Sequence, residues 1–131
     1  FVTANVPIYM SFDKKLMTRM LNNLVDNAIK YSPEGGQITL SIQLLNNRVP
    51  MLSIKDEGVG IPAENIDFLY DMFHRADNVS NIKGYGLGMS IVKKVVDLHE
   101  ATISVESTVG EETVFTITFP PVSQQNHTDS N

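Results

Sequence analysis

Three features of the chain predict an α+β fold: a two-layer sandwich in which three helices cover one face of a mixed, mostly antiparallel sheet. Residues 13–31 carry apolar side chains at helical spacing. Two pairs of segments alternate apolar and polar residues, as half-buried strands do. A glycine-rich stretch, Lys83-Gly84-Tyr85-Gly86-Leu87-Gly88-Met89-Ser90, runs straight into a further amphipathic segment. The predicted order is β-α-β-β-α-lid-α-β-β.

Val6 to Met10 is a short apolar run that reads as a strand. Asp13 to Tyr31 reads as a helix. Leu16, Met20, Leu24 and Ala28 recur every four residues, and so do Met17, Leu21, Val25 and Ile29. Asp13 suits the N-terminal end, and Ser32-Pro33-Glu34-Gly35-Gly36 stops the helix. Gln37 to Leu45 alternates, with Ile38, Leu40, Ile42 and Leu44 on one face. Asn46-Asn47-Arg48 is a turn into a second, antiparallel strand from Met51 to Lys55. Ala63 to Asp71 is a short helix with Pro62 just before its start. His74 to Lys83, polar and carrying Asp77, Asn78, Ser80 and Asn81, is a mobile lid. Leu87 to His99 is the third helix, with Leu87, Ile91, Val95 and Leu98 on one stripe. Thr102 to Glu106 and Thr113 to Phe119 form a closing hairpin, with Ile103, Val105, Phe115, Ile117 and Phe119 inward. Pro120-Pro121 stops the sheet. Residues 1–122 thus form one domain, and the polar residues 123–131 a disordered tail.

Composition narrows the function. The 131 residues suffice for one domain with a core. A net charge of −5 argues against non-specific nucleic-acid binding, and it obliges any polyphosphate site to supply local cations or a metal. The absence of cysteine excludes disulfides and thiolate metal sites. No apolar run approaches the ~20 residues of a membrane helix. No signal peptide is visible, and the start at Phe1 suggests a fragment whose sensor or anchor segments lie elsewhere.

The glycine stretch is preceded by a polar loop, whereas a dinucleotide fold needs a strand there. A P-loop needs Gly-Lys-Ser/Thr, which is missing. Three glycines free the backbone to approach a ligand, and the helix that follows offers unpaired N–H groups to an anion. Such a loop suits phosphate.

The first helix carries Asn22, Asn23, Asp26 and Asn27 in its middle, residues poorly suited to helix interiors. Asn23, Asn27 and Lys30 share one face at the rim of the apolar stripe, with Tyr31 next to it. Two readings stand: a solvated face, or an amide oxygen for a hard cation beside a lysine that neutralises phosphate. Asp56-Glu57-Gly58-Val59-Gly60-Ile61-Pro62 follows a strand whose alternation turns Asp56 inward. It is either an ordinary turn or a buried carboxylate awaiting a donor such as a nucleobase amino group, with Gly58 and Gly60 leaving room for a flat ring. Tyr70 and Phe73 read as packing; Arg75 and Lys83 read as phosphate contacts or surface charges. His99 reads as a helix-end residue, where a cation is favourable. His74 falls in the lid and His127 in the tail, and no metal-ligand triplet or Ser-His-Asp set can be assembled.

In order, these segments resemble the catalytic, ATP-binding domain of sensor histidine kinases, of the superfamily shared with gyrase and MutL. Asn23 to Tyr31 resembles the N box, Asp56 to Ile61 the first glycine box, Tyr70 to Arg75 the phenylalanine box, and Gly84 to Ser90 the second glycine box. The likeness runs from Val6 to Pro120 and implies the Bergerat-type ATP-binding fold. It implies ATP and Mg²⁺ as cofactors. Asn27 would ligate the metal; Asn23 and Lys30 would act on the phosphates, with Tyr31 near ribose or phosphate. Asp56 would accept from the adenine amino group, with Gly58, Gly60, Ile61 and Thr113 around the base. Arg75, Lys83, Gly84, Tyr85, Gly86, Leu87 and Gly88 would surround the phosphate tail. The partners implied are a helical dimerisation and phosphoacceptor domain carrying the histidine and, downstream, a receiver domain of a response regulator. The domain would be cytoplasmic, any membrane contact coming through other parts of the parent protein.

Some positions depart from the family pattern. Tyr85 sits inside the second glycine box, and Tyr70 replaces the first Phe of the phenylalanine box. His99-Glu100-Ala101 stands where His-Gly-Gly is frequent, and a glycine usual near Glu112 is missing. Hydrolysing members carry a Glu one helical turn before the metal-binding asparagine. Here that residue is Asn23, and an amide cannot take a proton from water. Phosphotransfer is therefore the expectation, with a hydrolysing ATPase or a nucleotide-binding switch without kinase activity as alternatives.

Overall fold

A computed structural model of the chain describes residues 2–4, 8, 10–46, 48–66, 69 and 85–122, the side chains of 2–4 and 85–87 excepted. Among the described residues the elements follow in the order β1 (Val2–Ala4), α1 (Lys14–Lys30), β2 (Ile38–Leu45), β3 (Val49–Asp56), α2 (Ala63–Ile66), α3 (Tyr85–Leu98), β4 (Thr102–Thr108) and β5 (Glu112–Thr118). The sheet order is β1-β2-β3-β5-β4. Its pairings are antiparallel except that of β1 with β2, which is parallel with Val2 opposite Leu40. The α+β expectation therefore holds. The first strand lies earlier than Val6–Met10: Ile8 and Met10 are outside any strand, and Val6, Pro7 and Tyr9 lie outside the described residues. Arg75, Lys83 and Gly84, the phenylalanine box with the predicted lid, and the tail 123–131 also lie outside them.

Helix α1 begins where its sequence allows the first turn to be capped. The Asp13 carboxylate accepts from the Leu16 N–H at 3.0 Å. Met17, Met20, Leu24, Asn27 and Ala28 are its buried residues. A strict four-residue row drifts about 40° per step around a helix of 3.6 residues per turn. Ile29, three steps from Met17, has accordingly rotated out to 57% exposure. On α3 the buried side is Met89, Val92, Val95 and Val96, whereas Ile91 is half-buried and Leu98 exposed. Leu98 lies about 120° from the middle of that buried arc at 100° per residue, so the predicted stripe follows its edge.

His99 falls on the buried side instead. It follows Val92 by seven residues, a displacement of about 20° around the helix, so the imidazole faces the core side of α3. Its Nδ1 donates to the Val95 carbonyl at 2.9 Å, and its Nε2 accepts from the Asp13 N–H at 3.1 Å. A carbonyl only accepts and an amide N–H only donates, so the ring carries its proton on Nδ1. It clasps the end of α3 to the start of α1, at the helix end where the sequence places it. Glu100 follows in the left-handed region at φ 56°. The N–H groups of Glu100 and Ala101 bond to the carbonyls of Asp97 and Val96, closing α3 as a Schellman motif.

The inner face of the sheet is built in cross-strand rows. Ile103, Ile117, Leu52 and Ile42 form one, and Val105, Phe115, Ile54 and Leu40 the next. Both are apolar and meet the buried side chains of α1 and α3 in one core. The third row reads Ser107, Thr113, Asp56 and Ile38. Polar residues enter the inner face there.

Candidate functional site

The polar row lies where three loops converge. Asp56 ends β3 and is 4% exposed; Thr113, directly opposite on β5, is 2% exposed. The Asp56 carboxylate accepts from the Gly58 N–H at 3.0 Å. Burial pushes its pKa above the ordinary carboxylate value; the Gly58 hydrogen bond works against that shift, and the charge of Glu112 adds to it. Glu112 itself is tied to Lys55 at 3.2 Å.

Helix α1 is anchored to this row by its own C-terminus. The Tyr31 carbonyl accepts from the Val59 N–H at 2.8 Å. A Cβ on Gly58 would collide with that carbonyl oxygen, so only glycine lets the helix end come this close. Gly60, at φ 78°, is likewise filled from the other side by the Thr108 carbonyl, 2.5 Å from where its Cβ would stand. The room left by these two glycines is therefore taken up by protein backbone, not left for a flat ring at their own α-carbons. Gly88 differs: apart from its chain neighbours and its own helix backbone, nothing among the described residues lies within 4 Å of its would-be Cβ. Gly58 and Gly60 thus use the missing side chain for close backbone packing, a demand that Gly88 does not face among the described residues.

Asn27 follows Met17, Met20 and Leu24 on the buried stripe of α1, where the period calls for an apolar residue. Asn23, one turn earlier, is half-buried, and its Nδ2 is buried with no hydrogen-bond partner among the described residues. Lys30 is exposed at the helix end, and Tyr31 is half-buried as its C-cap. Asn23 and Asn27 thus put amide groups on the inner side of a helix whose C-cap is bonded to the loop after Asp56. Helix α3 begins at Tyr85, two residues before the predicted start, so Gly86 and Gly88 lie in its first turn. A helix that starts at Tyr85 leaves the N–H groups of Tyr85, Gly86 and Leu87 without intrahelical partners.

Ser107 escapes the sequence reading, which ends β4 at Glu106. The strand runs to Thr108, and extending the alternation of Ile103 and Val105 by one step turns Ser107 inward. Its Oγ accepts from the N–H of buried Ile61 at 2.7 Å, lies 2.8 Å from Thr113 Oγ1, and donates to the Glu112 carbonyl at 3.0 Å. A separate apolar cleft of about 210 Å³ sits at the other end of the sheet, lined by Met10, Phe12, Met17, Leu21 and Met51 among others. Among the described residues, no helix is long and apolar enough to cross a membrane.

Residues 12–123 match the family model described as histidine kinase-, DNA gyrase B- and HSP90-like ATPase. The chain is 39% identical over 122 residues to sensor histidine kinase WalK of Bacillus subtilis, covering 90% of this chain and 20% of that protein. It is 44% identical over 126 residues to sensor histidine kinase YkoH of the same organism, covering 95% and 26%. It thus spans about a fifth to a quarter of the length of these relatives. Among solved structures, the mycobacterial sensor histidine kinase MprB superposes with a TM-score of 0.74 at 28% identity, covering 91% of this chain and 83% of that one. The catalytic domain of histidine kinase ThkA gives 0.77 at 26% identity, covering 91% and 76%. The chain therefore belongs to the histidine kinase-, DNA gyrase B- and HSP90-like ATPase family.

Proposed function

We propose that the chain, over residues 1–122, is the catalytic domain of a sensor kinase: it binds Mg²⁺-ATP and passes the γ-phosphoryl group to a histidine on a separate helical domain. The observation that carries this reading is that Asp56, Thr113 and the α1 amide Asn27 are all buried, while the C-terminus of α1 is hydrogen-bonded to the loop that follows Asp56. Asp56 presents a carboxylate with a backbone donor, which suits the amino group of adenine. The Asn23 amide, with its buried unpartnered N–H₂ group among the described residues, suits a phosphate oxygen. Lys30 adds the positive charge that an acidic chain must supply locally. The Asn27 amide oxygen is a hard donor of the kind that suits Mg²⁺, an ion that leans on substrate phosphates for its other ligands. Bound there, the ion would neutralise charge on the phosphates.

With no carboxylate at Asn23 to take a proton from water, the chain holds and orients the triphosphate and leaves the nucleophile to its partner. The incoming histidine and any membrane anchor would belong to other parts of the parent protein, and the receiver domain that takes the phosphoryl group next to a response regulator downstream. Calorimetric titration with ATP, with and without Mg²⁺, tests the reading. Asn27→Ala should abolish Mg²⁺-dependent binding while the far-ultraviolet circular dichroism stays unchanged. An affinity equal to the parent's would refute the ligand assignment.

A further inference from the structure

We infer that Ser107 is a positioning residue that fixes the direction of the Thr113 hydroxyl and so makes the inner end of the pocket a site of acceptors only. The inference rests on the adenine reading of Asp56. Three contacts converge on Ser107 Oγ, and one assignment makes all of them hydrogen bonds. The Ile61 amide can only donate, so it takes one lone pair of Oγ. The Glu112 carbonyl can only accept, so it receives the Ser107 proton. What remains at Oγ is a lone pair, and the contact with Thr113 is then a bond in which Thr113 donates.

The consequence falls on the neighbouring strand. Thr113 stands opposite Asp56, and both are buried. With its proton committed to Ser107, Thr113 has only lone pairs left for the pocket and cannot satisfy the Asp56 carboxylate. A carboxylate and a hydroxyl oxygen are thus both held as acceptors. A 6-amino purine supplies the donor that this pair lacks. A 6-oxo purine brings a further acceptor and is disfavoured. Ser107 does not touch the base in this account; it acts through Thr113.

The test compares ATP with inosine triphosphate by calorimetry on the 131-residue chain. The parent should prefer ATP. Ser107→Ala frees the Thr113 proton to turn toward Asp56 or a 6-oxo group, and the preference should fall roughly five- to tenfold, the worth of about one hydrogen bond. Ser107→Thr keeps the hydroxyl and should restore the preference. A purely structural role would weaken both nucleotides equally and leave the ratio alone, so an unchanged ratio in Ser107→Ala overturns the inference. If that variant does not fold, Thr113→Val carries the question: it should lower the ratio likewise, and a ratio kept at the parent's value overturns the inference. A parent that binds both nucleotides equally overturns the adenine reading itself, which separates the two failures.

Discussion

The two ends of the sheet's inner face are buried alike and built differently. At one end Ile117 is 1% exposed and Leu52 7%; at the other Thr113 is 2% and Asp56 4%. The apolar end is closed by the His99 clasp onto Asp13. The polar end is closed by Tyr31, Gly58 and Gly60, held by close backbone packing. Depth in the protein does not distinguish a core from a site; the partners of the buried atoms do. Apolar side chains gain by burial, whereas a buried carboxylate with an amide donor remains costly until a ligand supplies another.

The sharpest way to break this contrast is to damage the apolar end. Ile117→Ala removes a fully buried side chain from the first row, and truncations of this kind cost about 2–5 kcal/mol. Denaturant unfolding should show that loss, while ATP affinity of the folded fraction stays within about twofold of the parent's because the polar row keeps its partners. A large fall in affinity would mean that the two ends are not separable.

Asp56→Asn should do the reverse. Affinity for ATP should fall by about 1–3 kcal/mol, because a mixed donor and acceptor replaces a pure acceptor. Stability should move the other way. Burial raises the Asp56 pKa above its ordinary 3.8, so the folded chain keeps this proton to higher pH than the unfolded chain does. The stability contributed by this group is full below the ordinary value and is lost as pH rises through the raised one. At neutral pH the ionised carboxylate is then a burden that asparagine lacks, and the variant should melt higher than the parent. The advantage should shrink as pH falls toward the ordinary aspartate value. A variant that melts lower at neutral pH would place Asp56 with the structural residues of the apolar end.

Much of this contrast is legible in the sequence. Alternation places Ile103, Phe115, Ile117 and Leu52 inward and carries Asp56 with them, because a strand's two faces follow from its period alone. Asn27 stands out because an amide occupies a core position of a helix. What escapes depends on contacts between distant segments. No local pattern says that the carbonyls of Tyr31 and Thr108 fill the space at Gly58 and Gly60. Ser107 is hidden by a strand end misplaced by two residues, and strand ends are set by pairing with β5 as much as by local sequence. Ile29 is misjudged because a four-residue row drifts from the helical period. Leu98 is misjudged because α3 has apolar residues around much of its circumference, and only packing against α1 and the sheet selects the buried arc.

The smallest effect concerns Glu100, at the end of the molecule without the site. Its φ of 56° places a side chain where glycine is at ease, in a Schellman motif whose geometry the flanking hydrogen bonds fix. Left-handed backbone costs a residue with a Cβ about 1–2 kcal/mol, while glycine's freer unfolded chain returns about 0.4–1 kcal/mol of that. Removing a carboxylate from the negative end of the α3 dipole adds a few tenths in the same direction. Glu100→Gly should therefore stabilise the domain by about 0.5–1 kcal/mol in denaturant unfolding and leave ATP affinity untouched. A gain in stability with a loss of ATP binding would show that strain at the clasp is transmitted to the nucleotide end, and the two ends of the sheet would have to be treated as one cooperative device.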